Sequence, residues 1–344
     1  MSRRTVTRVL LLLVGAVLVS TSVLAQQVAG QKPVLLIGDQ FQFTPGTWAT
    51  YILHDKREDA YSTMTMAVLE SVRHNGRDSA WLEIIVETAT ELVVTRLLTE
   101  KTPSGPGEVF EAIVYVHGLQ PFRIPQRWLK GEEQEVGKLS NTAVTSRVGQ
   151  RRIMFDGRPL DVIDVDAVDE SGARVVATVS TGVAPIGVLT ADSRDVGMYL
   201  EDWGSGATTR IVGTPVSFVE WTATMVARGL SGKDVSLPSK PGRLFDMTGV
   251  WREADGPCAG SQWTVTGAHP TSTDLTANRR CDGDQMPVMR TTRLTWRSDR
   301  ILTFDVPDTG RETTHLLLAF TSPSRGLVVF VDRAGRRTVA TLRR

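Results

Sequence analysis

The chain has 344 residues, 22% charged and 41% hydrophobic, with a formal balance of +1. That mix is too apolar for a disordered tail protein and too polar for a multi-span membrane protein. It is also too close to neutrality for electrostatic capture of nucleic acid or of an anionic bilayer, so neither is expected as a partner.

Residues 1–25 read as an export signal. Arg3, Arg4 and Arg8 form a basic leader, Val9 to Val19 an apolar run, and Val23, Leu24 and Ala25 offer the small residues at which such leaders are cut. The run is about half the roughly twenty residues that a bilayer span requires, which favours a cleaved signal over a permanent membrane anchor. Position 26 is Gln26, not the cysteine that a lipid anchor needs. The three arginines leave with the signal and take the balance from +1 to −2. The mature protein is expected in a periplasm or outside the cell. In such an oxidising compartment the only two cysteines, Cys258 and Cys281, are expected to pair.

Residues 40–228 carry the period-two alternation of antiparallel strands. Around Asn75 and Gly76, a pair suited to a tight hairpin, Met64, Met66 and Val68 share one face of the incoming strand. Leu82, Ile84 and Val86 share one face of the outgoing strand. A further strand over 109–116 sets Phe110, Ala112, Val114 and Val116 in one row. Strands over 151–155, 159–168, 174–180, 187–191 and 196–203 follow, with Gln126 to Lys138 as a short helical or loop interruption. The count predicts a curved antiparallel sheet, a half-barrel. A helix is expected from Thr214 as N-cap and Pro215 to a stop at Gly229, with Phe218, Val219, Thr222, Met225 and Val226 on one face.

Residues 229–243, rich in Gly, Ser, Lys and Pro, read as a linker. Residues 244–344 then offer eight short strand candidates, one of them Val288 to Trp296, and predict a small antiparallel β-barrel. From Thr248 onward this part holds 14 arginines against 10 acids, opposite in sign to the acidic front part.

Searches for chemistry return no catalytic, metal or cofactor assignment. His54, His74, His117, His269 and His315 lack metal-ligand spacing, and Ser205 sits in a Gly204 to Gly206 turn, not in a nucleophile elbow. The acids Asp161, Asp164, Asp166, Asp169 and Glu170 lack the glycine and terminal glutamate of a calcium loop, and read as a solvated face. The eight tryptophans are scattered as in a core, not grouped as a stacking platform.

What remains is a set of strands apolar on both faces. Met64, Met66, Val68, Leu82, Ile84, Val86, Phe110 and Val114 are therefore the candidate wall of an apolar ligand site for a lipid or acyl chain. The rival expectation is that protein covers both faces, which makes the chain a structural or adaptor protein with two β-modules and no pocket.

The phrases Gly46, Thr47, Trp48 and Trp81, Leu82, Glu83, with the turn Leu200 to Gly204, resemble the LolA/LolB-like periplasmic half-barrels over about residues 40–213. That resemblance implies a concave apolar sheet able to hold acyl chains, and a non-enzymatic envelope role. The opening Thr248 to Trp251 of the last part is similar to small lipocalin-type barrels.

Overall fold

The computed structural model describes residues 34–37, 40–88, 91–129, 139–169, 172–231, 246–267, 274–281, 284–285, 289–291, 294–298, 300–308, 311–331 and 335–344. The expected signal, most of the expected linker, and His269 lie outside these residues.

Alternation at period two becomes strand almost throughout. In chain order the front part forms β1 (Val34–Ile37), β2 (Trp48–Asp55), β3 (Ala60–His74), β4 (Arg77–Glu87), β5 (Leu92–Thr102), β6 (Gly105–Val116) and β7 (Phe122–Arg123). After the one-turn helix α1 (Gln126–Leu129) come β8 (Leu139–Phe155), β9 (Arg158–Val168), β10 (Arg174–Val179), β11 (Val188–Asp192), β12 (Val196–Gly204), β13 (Val216–Ser217) and helix α2 (Phe218–Leu230). These strands join in one sheet in the order β1-β8-β9-β10-β11-β12-β2-β3-β4-β5-β6-β7-β13, curved as a half-barrel. Its neighbours are antiparallel except at the two ends, where β1 on β8 and β13 on β7 run parallel. Asn75 and Gly76 turn β3 into β4 with positive φ angles of 49° and 80°. Asp156 and Gly157 do the same between β8 and β9 at 52° and 72°, as tight two-residue hairpins demand.

Helix α2 differs from its sequence expectation. Thr214 and Pro215 stay outside it, because Val216 and Ser217 are drawn into a ladder with Phe122 and Arg123. The Ser217 hydroxyl caps the helix instead, accepting the Glu220 N–H at 3.2 Å. The buried side chain is Trp221, its ring tilted against Phe122 at 4.6 Å, whereas Val219 is 76% exposed. The helix runs through the expected stop at Gly229 to Leu230.

The C-terminal part forms β14 (Gly249–Glu253), β15 (Gln262–Thr266), β16 (Asp274–Asn278), β17 (Arg280–Cys281), β18 (Asp284–Gln285), β19 (Met289–Thr291), β20 (Thr295–Trp296), β21 (Ile301–Asp308), β22 (Arg311–Ser322), β23 (Arg325–Val331) and β24 (Arg337–Arg343). Nine of these make a second antiparallel sheet in the order β19-β16-β15-β14-β24-β23-β22-β21-β20, with β17 and β18 as a separate ribbon. The single strand expected over 288–296 is thus split into β19 and β20, which sit at opposite ends of the sheet. Four residue steps from Thr291 to Thr295 reach at most about 14 Å. The sheet therefore curls until its ends approach, in the manner of a small barrel.

Two-faced strands join the sheets. In β21 to β24 the side chains of Leu302, Phe304, Leu316, Leu318, Phe320, Val328, Phe330, Ala340 and Leu342 line the C-terminal sheet's own core with Trp251 and Trp263. The alternate residues Ile301, Leu317, Ala319, Leu327, Val329 and Val339 belong to the front apolar cluster. A strand buried on both faces must be apolar throughout, which is why 316–320 reads Leu, Leu, Leu, Ala, Phe.

Candidate functional site

The candidate ligand wall assembles, with one exception. Across β3 and β4, Met64 faces Val86, Met66 faces Ile84 and Val68 faces Leu82. Thr95 of β5 then links Ile84 to Val114 of β6. Phe110 leaves the row. Leu98 pairs Glu111 and Thr99 pairs Val109, so Phe110 is the extra residue of a β-bulge. It stacks on His74 at 4.9 Å with the Arg77 guanidinium 5.6 Å from its ring, while Val109 packs against the core in its place.

The wall is sealed. Met64, Met66, Val68, Leu82 and Val114 are 0% exposed and Ile84 is 2% exposed, with Val86 packed at the margin. They share one apolar cluster with Phe41, Tyr51, Phe122, Leu129, Phe155, Trp203 and Trp221. Burial holds the Tyr51 hydroxyl protonated far above its ordinary range.

Part of the outer surface of β4 to β6 lies under a strap, residues 205–215. Ala207 N–H donates to the Gly46 carbonyl at 2.8 Å, and the strap ends where Val216 N–H donates to the Pro121 carbonyl at 3.0 Å. Between these anchors it crosses Glu83, which is buried and accepts from the Thr209 hydroxyl at 2.5 Å and from the Arg210 N–H at 2.7 Å. Burial raises the Glu83 carboxyl above its ordinary range, and these two bonds and the nearby Arg96 and Arg210 oppose the rise.

Charge lines the seam between the two sheets. Arg300, just ahead of β21, donates from Nη1 to Glu201 Oε1 at 2.7 Å, from Nη2 to Oε2 at 3.3 Å, and to the Thr63 hydroxyl. All three residues are buried. Arg325 reaches Asp202 at 2.9 Å and Asp156 at 3.3 Å. Asp255 accepts the N–H groups of Asp156, at 2.5 Å, and Thr341, at 2.6 Å, so that the β8–β9 hairpin tip is pinned to the second sheet. Burial raises the Asp255 carboxyl, and also that of Glu253, which holds the Trp263 indole N–H and Arg279. A small polar cavity of about 340 Å³ opens on this seam beside Thr50, Thr65, Glu201 and Arg300. No spacing rule flags Glu83, Glu201 or Arg300, because each meets its partner through contacts of 99 to 237 residues in sequence.

A larger groove of about 770 Å³ runs along β8, between its residues 148–154 and the C-terminal sheet. Val148, Ile153, Met154, Pro257, Phe330 and the disulfide line it. Cys258 and Cys281 are joined at 2.01 Å. Of the acidic stretch, Asp161 is exposed, but Asp164 is buried, bonded to Arg151 and the Thr178 hydroxyl, and Asp166 pairs Arg174. Among the described residues no cluster of His, Cys, Asp or Glu could hold a metal ion. His54 stacks on Tyr61 at 4.2 Å and contacts Asp59. No helix among the described residues is long and apolar enough to cross a membrane.

No protein-family model matches the chain. No curated protein matches it either. Among solved structures it is similar to the crystal structure of MucB, at 11% identity and a TM-score of 0.24, over 89% of each chain. It is also similar to the Pseudomonas aeruginosa MucA/MucB complex, at 12% identity and a TM-score of 0.22 over 86% of each chain. MucB in complex with MucA(peri) gives 12%, 0.22 and 87% of each chain. Overlap at this level carries no functional conclusion.

Proposed function

We propose that the mature chain is a non-enzymatic envelope adaptor, periplasmic or secreted, in which two β-modules pack into one body that engages a protein partner. One observation carries the choice of adaptor over lipid carrier. The side chains that would contact an acyl chain on the curved sheet are already fully packed against protein, from Met64 in β3 to Val114 in β6. A carrier would have to part Trp221 and Phe122 from that wall, and interiors packed at crystal density yield such space only at the cost of lost contacts. The export-type leader over residues 1–25 and the Cys258–Cys281 bond support an oxidising extracytoplasmic compartment. No catalytic residue, metal or cofactor enters the proposal.

The test is crosslinking in the native envelope of the host, paired with native mass spectrometry of the purified protein. An adaptor captures one stable protein partner and carries no stoichiometric lipid. A co-purifying lipid whose release requires unfolding of the front sheet would return the assignment to the carrier.

A further inference from the structure

Strand β8 leaves most of its length open. β1 pairs only with Leu139 to Thr142, and beyond that no described residue pairs with Ala143 to Phe155 on the side away from β9. Long bare edges are rare in folded proteins because their unpaired N–H and C=O groups template another strand. Two bulges interrupt the first part, between Val144 and Ser146 and between Arg147 and Gly149, so the regular template is Gln150 to Phe155. That stretch borders the 770 Å³ groove. The hairpin at Asp156 and Gly157 sets which groups face outward. Phe155 and Arg158 close a two-residue turn and form a hydrogen-bonded pair, so Gln150, Arg152 and Met154 turn their N–H and C=O groups away from β9.

The edge also has a chemical character. Val148 is 56% and Met154 47% exposed, large for apolar side chains among the described residues, and both line the groove. Between Ala143 and Phe155 the strand carries Arg147, Arg151 and Arg152 and no acid, while Arg279 and Arg336 stand on the opposite bank. Asp164 is committed to Arg151 and Thr178, and Glu253 to Arg279. Asp161 meets Arg152 only at 3.6 Å with both side chains in water, a pairing that solvent screens. With Arg151 neutralised by Asp164, the charge the edge offers is that of Arg147 and Arg152, which a second copy added antiparallel on β8 would set against its own like charges. An acidic segment meets complementary charge.

We infer that the open edge of β8 is a strand-addition site for an extended partner segment in which acidic and apolar residues alternate, the backbone pairing with Gln150, Arg152 and Met154 and the apolar side chains entering the groove. This deepens the adaptor reading and rests on it, by naming the surface and the partner chemistry.

The probes are two capped synthetic peptides of about eight residues, long enough to span the template, one of alternating Val and Glu and one of alternating Val and Lys. They are titrated against the full mature chain by fluorescence anisotropy at low salt. The acidic peptide should bind saturably, and the basic one at least roughly tenfold more weakly. Met154→Pro removes an outward N–H without touching the β9 ladder and should weaken binding by roughly tenfold or more, with circular dichroism unchanged. Arg147→Glu combined with Arg152→Glu, at exposed positions, should reverse the preference between the peptides. Equal binding of both peptides, indifference to both sets of variants, or no binding to folded, disulfide-intact protein overturns the proposal. A concentration-dependent dimer abolished by Met154→Pro gives the edge to a second copy and overturns it as well. Crosslinking that still captures an envelope partner while the peptides fail leaves the adaptor reading standing and removes this site alone.

Discussion

Arg300 is the clearest place to perturb the union of the two sheets. Replacing it with methionine keeps the apolar stem and deletes the guanidinium, which leaves the Glu201 carboxylate and the Thr63 hydroxyl buried without their donor. Breaking a buried pair by removing one partner costs about 3–5 kcal/mol, most of it the stranded charge. Glu201→Met strands the guanidinium instead and should cost a similar amount. The double variant removes both charges and strands neither, so it should cost less than either single variant, giving a coupling at least as large as one single loss, about 3 kcal/mol or more. Urea unfolding followed by tryptophan fluorescence measures this, with the denaturant slope checked for constancy across the four proteins. If Arg300→Met costs less than about 1 kcal/mol at constant slope, the pair behaves like a solvent-exposed ion pair and the argument that it clamps the sheets is wrong.

Three further outcomes follow from the same geometry. Leu82→Ala should destabilise by about 2–5 kcal/mol in urea unfolding and leave binding of a fluorescent fatty acid at background, whereas Val219→Ala should change stability by less than about 0.5 kcal/mol. Replacing Cys258 and Cys281 together by alanine, or reducing them, should cost about 3 kcal/mol through the 23-residue separation they close, read as a lower urea midpoint. Glu83, Glu253 and Asp255 have folded-state values raised by burial, so the native state holds their protons longer than the unfolded chain does. Stability should therefore fall as pH rises from the ordinary carboxylate values of 3.8 and 4.5 through the raised ones. Glu83→Gln, which still accepts the Arg210 N–H, should flatten that slope, and an unchanged stability–pH profile would count against the assignment of the burial cost to Glu83.

Local rules made much of the fold legible. Asn75 and Gly76 declare their turn because few residues accept positive φ, and the Met64 and Leu82 rows declare their pairing because side chains repeat every second residue. The cysteines declare their bond by being the only two. Illegible were the features decided at a distance. β8 extends back to Leu139, well before the expected Arg151, since an exposed arginine-rich edge has no apolar alternation to display. Phe110 follows the alternation in sequence, and only the partner strand's register turns it out at the bulge. Thr214 and Pro215 look like a better helix start than Ser217, until a parallel ladder with Phe122 takes the residues between. Of the candidate wall, Met64, Met66, Val68, Leu82, Ile84, Val86 and Val114 are neighbours and Phe110 is not. The wall's cover was invisible, because Phe41 and Trp221 reach it from elsewhere in the chain.

The placement of Ile301, Leu317, Leu327 and Val339 in the front cluster fixes an order of assembly. A polypeptide emerges from its N-terminus, and the half made first here cannot finish until the four strands β21 to β24 arrive. During that interval Ile52, Tyr199 and their neighbours wait uncovered on a long unfinished sheet. Shortening the tail past Val339 should therefore harm the beginning of the molecule as much as its end.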